Sequence, residues 1–182
     1  MGRFKFTDTP ISGVRIIEPG VYADERGCFM ETYNFNDFKA AGIDAVFVQD
    51  NQSVSVKGVL RGLHFQKIHP QAKIVRVISG EVFDVAVDIR NESPTYKKWF
   101  GIALSGENKK QLFVPEGLAH GFLVLSREAV FTYKCTDFYH PEDERGIIWN
   151  DPDIGIDWPL GNMERVILSD KDLLLPVIGK AV

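Results

Sequence analysis

Cysteine is scarce: the 182-residue chain has two, Cys28 and Cys135, and they form no C-x-x-C pair. That is too few for a disulfide framework and the wrong spacing for a thiolate zinc site. Both are expected as reduced thiols, in a cytoplasmic protein. Long apolar runs are missing too. No stretch approaches the ~18 consecutive apolar residues of a membrane-spanning helix. Met1 to Pro10 has no apolar run leading to a small-residue cleavage site, so no signal peptide is expected. An excess of positive charge is also lacking: 21 Lys and Arg against 25 Asp and Glu give a net charge of -4. General nucleic-acid binding, which needs a basic face, is therefore not expected. A small anionic ligand held by a few local cations stays open. No repeat, low-complexity tract or linker interrupts the chain, which reads as one domain over residues 1–182.

Short, regularly spaced, β-branched and aromatic segments dominate what is present. Gly13–Glu18, Ala45–Gln49, Gln52–Val56, Trp99–Leu104, Lys110–Val114, His120–Leu125 and Ala129–Thr136 all read as strands. Lys73–Ile78 and Glu81–Ile89 flank Ser79-Gly80 and read as a hairpin with a tight turn. Such a series predicts an all-β antiparallel sandwich or barrel. Helices are few: Asn36–Ala41, stopped by Gly42, and a second candidate over Leu168–Leu175. Along Glu81–Ile89 the alternation puts Phe83, Val85 and Val87 on one face, and Asp84, Ala86 and Asp88 on the other. Inside a small barrel, a polar face implies a ligand cavity.

Four histidines carry most of the chemical interest, two of them in suggestive settings. Gly62, His64 and Gln66 share one strand face, and an imidazole with a reference pKa near ~6.5 is suited to take a proton at neutral pH. A lone strand histidine is otherwise a buried residue satisfied by a carbonyl. Lys73 reads as a solvated strand end or as a cation that stabilises an enolate oxygen. Tyr133 reads as core packing or as a general acid with a reference pKa near ~10. Asp170 reads as an acid at a helix N-terminus or as a partner that holds His64.

Val114-Pro115-Glu116-Gly117-Leu118-Ala119-His120 resembles the proline-to-histidine stretch of the cupin superfamily, in which that histidine is a metal ligand. The H-x-H pair that would supply its partners reads His64-Phe65-Gln66 here, and Ile68 and His69 stand where a glutamate would follow. A transition metal needs three or four well-placed donors, so the expectation is a cupin-type antiparallel barrel (jelly roll) with a few short helices, no metal and no cofactor.

Seven segments in order resemble the dTDP-4-dehydrorhamnose 3,5-epimerase family over essentially the whole chain: Asp24–Gly27 with Glu31, Gln49–Ser53, Gly58–Gln66, Gln71–Lys73, Val114–Phe122, Tyr133–Tyr139 and Leu168–Asp172. The resemblance implies epimerisation of a dTDP-linked 4-keto-sugar at the two carbons flanking the ketone. His64 would be the base, Asp170 its partner, Lys73 the enolate stabiliser and Tyr133 the acid at C5. Arg61 and His120 would line the sugar site; Gln49, Asn51, Tyr139, Glu144 and Lys171 would contact sugar or nucleotide. It also implies a homodimer exchanging an N-terminal hairpin, so that Tyr22, Arg26 and Glu31 serve the neighbouring subunit's site. Arg61 and His64, three apart, can both face one cavity only if the strand bulges, for instance at Gly62. The competing readings are an epimerase of a single carbon (C3 or C5), a metal-dependent cupin and a non-catalytic sugar-binding cupin. The broken H-x-H stands against the metal, and His64, Lys73, Tyr133 and Asp170 together stand against a mere binder.

Overall fold

The computed structural model describes residues 3–161, 163 and 165–182. In chain order the elements are β1 (Phe4–Asp8), β2 (Arg15–Pro19), β3 (Val21–Asp24), β4 (Gly27–Met30), α1 (Phe35–Ala40), β5 (Gln49–Val56), β6 (Leu60–Gln66), β7 (Lys73–Ser79), β8 (Glu81–Asp88), β9 (Trp99–Ser105), β10 (Gln111–Val114), β11 (Leu118–Val124), β12 (Glu128–Cys135), β13 (Glu144–Gly146), α2 (Asp170–Leu173) and α3 (Ile178–Ala181). Two antiparallel sheets face each other, one ordered β1-β2-β10-β7-β12-β5 and the other β13-β6-β11-β8-β9. The third sheet is the small β3-β4 hairpin. Among the described residues no helix is long and apolar enough to cross a membrane.

The period-2 alternation explains the layers. Val75 and Val77 on β7, Leu112 on β10 and Phe131 on β12 point inward against Val82 and Ala86 on β8 and Phe122 on β11. The opposite faces are covered as well. Leu63, Val85, Val87 and Leu123 lie beneath Ile147, Trp158 and Ile178 from the C-terminal third. Ile17, Ile74 and Phe113 lie beneath α1 through Phe38, whose ring meets Phe4, Phe6 and Tyr33 edge-on at 5.1, 5.2 and 4.9 Å. Each such buried side chain stabilises the fold by about 1.5–3 kcal/mol. Asn34 starts α1 by accepting from the backbone N–H groups of Asn36 and Asp37, and Gly42 at φ 86° lets the chain turn away beyond it.

Two expectations are corrected. Lys73–Ile78 and Glu81–Ile89 do not form a hairpin: β7 pairs with β10 and β12, and β8 with β11 and β9, in opposite sheets. Both strands are central and have no free edge for each other. The chain crosses between the sheets at Gly80, at φ 80°, where a Cβ would lie 2.1 Å from the Glu128 carbonyl oxygen. Ala45–Gln49 is not a strand either; only Gln49 joins β5. Ala45 and Phe47 pack instead on the α1 cluster, so burial against a helix produced the apolar alternation.

Candidate active site

The cavity opens between the two sheets, and β6 supplies its first wall. His120 is the cross-strand partner of His64, but Phe122 is that of Arg61. Three steps on β6 match two on β11, so β6 carries the bulge expected near Gly62. Gly62 stands at φ 113°, and a Cβ there would meet the His120 carbonyl oxygen at 2.6 Å. A Cβ on Gly121 would likewise meet the Arg61 carbonyl oxygen at 2.6 Å. With the phase shifted, Arg61 and His64 line the same cavity.

His64 Nε2 lies 2.6 Å from a carboxylate oxygen of Asp172. A carboxylate only accepts, so Nε2 carries the proton and Nδ1 keeps its lone pair. Burial would push the Asp172 pKa up, but hydrogen bonds from His64, the Ser169 hydroxyl and the Gly62 backbone hold it below the ordinary value. This corrects the assignment of Asp170. Ser169 caps α2 by accepting from the Asp172 backbone N–H, and two residues along a helix turn by about 200°. Asp172 therefore faces inward while Asp170 is exposed. Room for the segment that follows α2 comes from Gly146, the β13 partner of His64, where a Cβ would strike Leu175 at 2.7 Å.

The second wall is the six-stranded sheet. Lys73 and Tyr133 lie on neighbouring strands, with Lys73 Nζ 6.0 Å from the Tyr133 ring centre. Burial lowers the Lys73 pKa, against the pull of the Cys135 and Asp84 charges. Burial raises the Tyr133 pKa, with Cys135 adding to it and Arg61 opposing, so the phenol keeps its proton at neutral pH. An imidazole on one wall thus stands against an amine and a phenol on the other.

At the mouth, about 320 Å³ of cavity is lined by Gln49, Asn51, Tyr139, Glu144 and Lys171 together with His64 and Lys73. A deeper lobe of about 360 Å³ adds Arg61 and His120. The structure therefore brings together every expected residue except Asp170 and the hairpin set. Tyr22 and Arg26 lie on the exposed β3-β4 hairpin. Arg26 is paired with Asp24 at 2.6 Å, and Glu31 with Arg3 at 3.1 Å. None of the three lines this chain's cavity.

Sequence reasoning missed four groups here. Asp172 was masked by Asp170 two positions earlier. Asp84 holds His120 Nε2 with both oxygens at 3.0 Å; its inward face was legible, its partner was not. Cys135 borders Lys73 and Asn51. Ser53, which lines the deeper lobe, has a buried hydroxyl with no partner among the described residues; the Gln49–Ser53 segment was noted, the role of its serine was not.

Gln66, in the place of the second histidine of H-x-H, donates to the carbonyls of His69 and Phe138 and accepts from the His140 backbone N–H. At the rim, among the described residues, His69, Asp137 and His140 cluster. The two rings stack at 4.0 Å and 17°, and one donor atom from each of the three residues lies within 4.8 Å of the others.

Two facing antiparallel sheets with a cavity between them define a barrel of cupin type. A family model described as dTDP-4-dehydrorhamnose 3,5-epimerase matches residues 8–179. The chain is 59% identical to a dTDP-4-dehydrorhamnose 3,5-epimerase of Methanothermobacter thermautotrophicus, over 94% of this chain and 93% of that protein. It superimposes with a TM-score of 0.94 and 53% identity on the Legionella pneumophila dTDP-6-deoxy-D-glucose-3,5-epimerase in complex with dTDP-4-keto-L-rhamnose, covering 97% and 93% of the two chains. A 3'-monoepimerase from Streptomyces bikiniensis in complex with dTDP-quinovose is similar at a TM-score of 0.88 and 34% identity, covering 94% and 86%. The chain belongs to the dTDP-4-dehydrorhamnose 3,5-epimerase family.

Proposed function

We propose that this chain inverts C3 and C5 of dTDP-4-dehydro-6-deoxy-D-glucose to give dTDP-4-dehydro-L-rhamnose, in dTDP-L-rhamnose biosynthesis. The observation that carries the reading is the opposition of His64 with Asp172 on one wall to Lys73 and Tyr133 on the other. The C4 ketone acidifies the protons on both neighbouring carbons. His64 Nδ1 takes the C5 proton, and Asp172 supports the imidazolium. The electron pair moves onto the ketone oxygen, where Lys73 donates to the enolate. Tyr133, from the opposite wall, returns a proton to C5, and the centre is inverted. Only protons move, so the reading calls for no redox cofactor. Arg61, His120 and the rim residues orient the sugar and its nucleotide.

The same reading includes a homodimer. A two-stranded hairpin standing alone is marginal in water, and β3-β4 leaves Tyr22 at 62% and Phe29 at 72% exposure. We assign these faces, with Arg26 and Glu31, to the nucleotide end of a second copy's cavity. Two free cysteines, Cys28 exposed, support a cytoplasmic place of work.

The test is proton exchange in deuterated water, followed by NMR on the 4-keto-6-deoxyglucose nucleotide. Deuterium at both C3 and C5, with an L-rhamno product after reduction, is expected. Exchange at one carbon alone would move the chain to the monoepimerases, and no exchange would defeat the reading. Tyr133→Phe is expected to exchange but to invert C5 poorly; normal product from it would remove Tyr133 from the mechanism.

A further inference from the structure

A double inversion sets a proton balance that His64 and Tyr133 cannot close between themselves. Each inversion moves one proton onto Nδ1 of His64, and the inversion at C5 removes one from Tyr133. Before the same imidazole can act again, it must lose that proton, and the phenolate must regain one from solvent. Asp172 is a poor outlet: it sits on the other ring nitrogen, is buried, and is already bound to His64 and Ser169.

Glu144 sits on the correct side. It lies on β13 opposite Gln66, while Gly146 lies opposite His64, so its side chain rises on the His64 face as a diagonal neighbour. One Glu144 carboxylate oxygen is 4.0 Å from His64 Nδ1, the nitrogen that Asp172 leaves free. The other oxygen accepts from the Tyr139 hydroxyl at 2.7 Å and from Lys171 Nζ. Those three, from β6, the loop before β13 and α2, are the titratable side chains paired with it among the described residues. Tyr139 and Lys171 are exposed at the mouth, so the chain of groups ends in water. The contacts of Glu144 thus run from the base to the solvent.

We propose that Glu144 is the proton outlet of His64: between the two inversions it accepts the proton from Nδ1, directly or through one water, and passes it to solvent at the Tyr139–Lys171 rim. The step breaks the Nδ1–H bond, forms a carboxyl O–H, and returns a neutral imidazole. Glu144 acts through His64 and does not touch the reacting carbons. The inference rests on the double inversion proposed above.

The experiment is Glu144→Gln in the full chain, with Glu144→Asp as the conservative control. Well-placed proton transfers are worth about 10²–10⁴-fold, and a loss in kcat at the lower end of that range is expected, larger than any rise in KM from the substrate contact of Glu144. Rapid-quench exchange is expected to show a burst of one inversion per active site and then a slow second one. Added imidazole buffer is expected to raise kcat of Glu144→Gln with concentration and to leave the wild type unchanged, while Glu144→Asp recovers most of the rate. A defect in KM alone, or slowing with neither burst nor buffer rescue, would overturn the outlet. If the wild type inverts only one carbon, it is the double-inversion reading that has failed.

Discussion

His64 and His120 face each other across the β6–β11 pairing, each with a carboxylate on Nε2, yet the two pairs are built for different work. His120 is 8% exposed and is gripped by both oxygens of Asp84 from the neighbouring strand. His64 is 26% exposed and meets one oxygen of Asp172, delivered by a helix 108 residues later in the chain. A charge-assisted bond at 2.6 Å orients the ring, and its other nitrogen stays open to the cavity. The nearly buried pair is held fixed, and the more exposed imidazole, with Nδ1 open to the cavity, can cycle protons. What separates structure from turnover here is which nitrogen water and substrate can reach.

The sharpest way to break that comparison is to remove each imidazole in turn. His64→Ala is expected to lower epimerisation about 10³- to 10⁴-fold with an unchanged near-UV circular dichroism spectrum. His120→Ala is expected to cost far less in kcat and to show mainly in KM. Equal losses in kcat would erase the distinction.

Next come the carboxylates. Asp172→Asn is expected to lower kcat by about a hundredfold, because a side-chain amide nitrogen can turn toward Nε2 and favour the wrong tautomer. Asp84→Ala leaves the buried Nε2–H of His120 without an acceptor, a loss of about 1–3 kcal/mol that urea unfolding would register. If Asp172→Asn instead gave the larger drop in stability and the smaller drop in rate, the assignment of roles would be reversed.

pH sharpens the contrast further. The Asp172 carboxyl is held below its ordinary value in the folded protein. A depressed acid stabilises the fold above its unfolded pKa of ~3.9, and that contribution is lost as pH falls through the folded value. The stability gap between wild type and Asp172→Asn is therefore expected to stay level down to about pH 5 and to close below about pH 4. A gap that widened on acidification would contradict the sign. The smallest effect belongs to Asp170→Asn: the exposed carboxylate takes no part in either pair, and rate and stability are expected within error of the wild type.

Legibility in the sequence followed how local each determinant is. Strand alternation depends on neighbours two apart, so β2, β5, β8 to β12 and the capped α1 could be read directly. Even the β6 bulge was legible, because Arg61 and His64 could share a cavity only by a shift of phase. Strand partners are not local. Ser79-Gly80 looked like a hairpin turn because nothing nearby reveals that β10 and β12 already occupy both edges of β7. The His64 carboxylate was found to within one helical half-turn, since Ser-Asp-Lys-Asp offers two acids and only the burial of α2 selects between them.

Gln66 has a consequence for engineering. A single exchange, Gln66→His, would restore the two-histidine motif of the metal-binding relatives. The amide it replaces now ties three backbone groups from two loops, at His69, Phe138 and His140. A neutral imidazole has one donor and one acceptor on a rigid ring and cannot answer all three. The obstacle to installing a metal by Gln66→His therefore lies in the loops that lean on the amide, more than in the missing ligand itself.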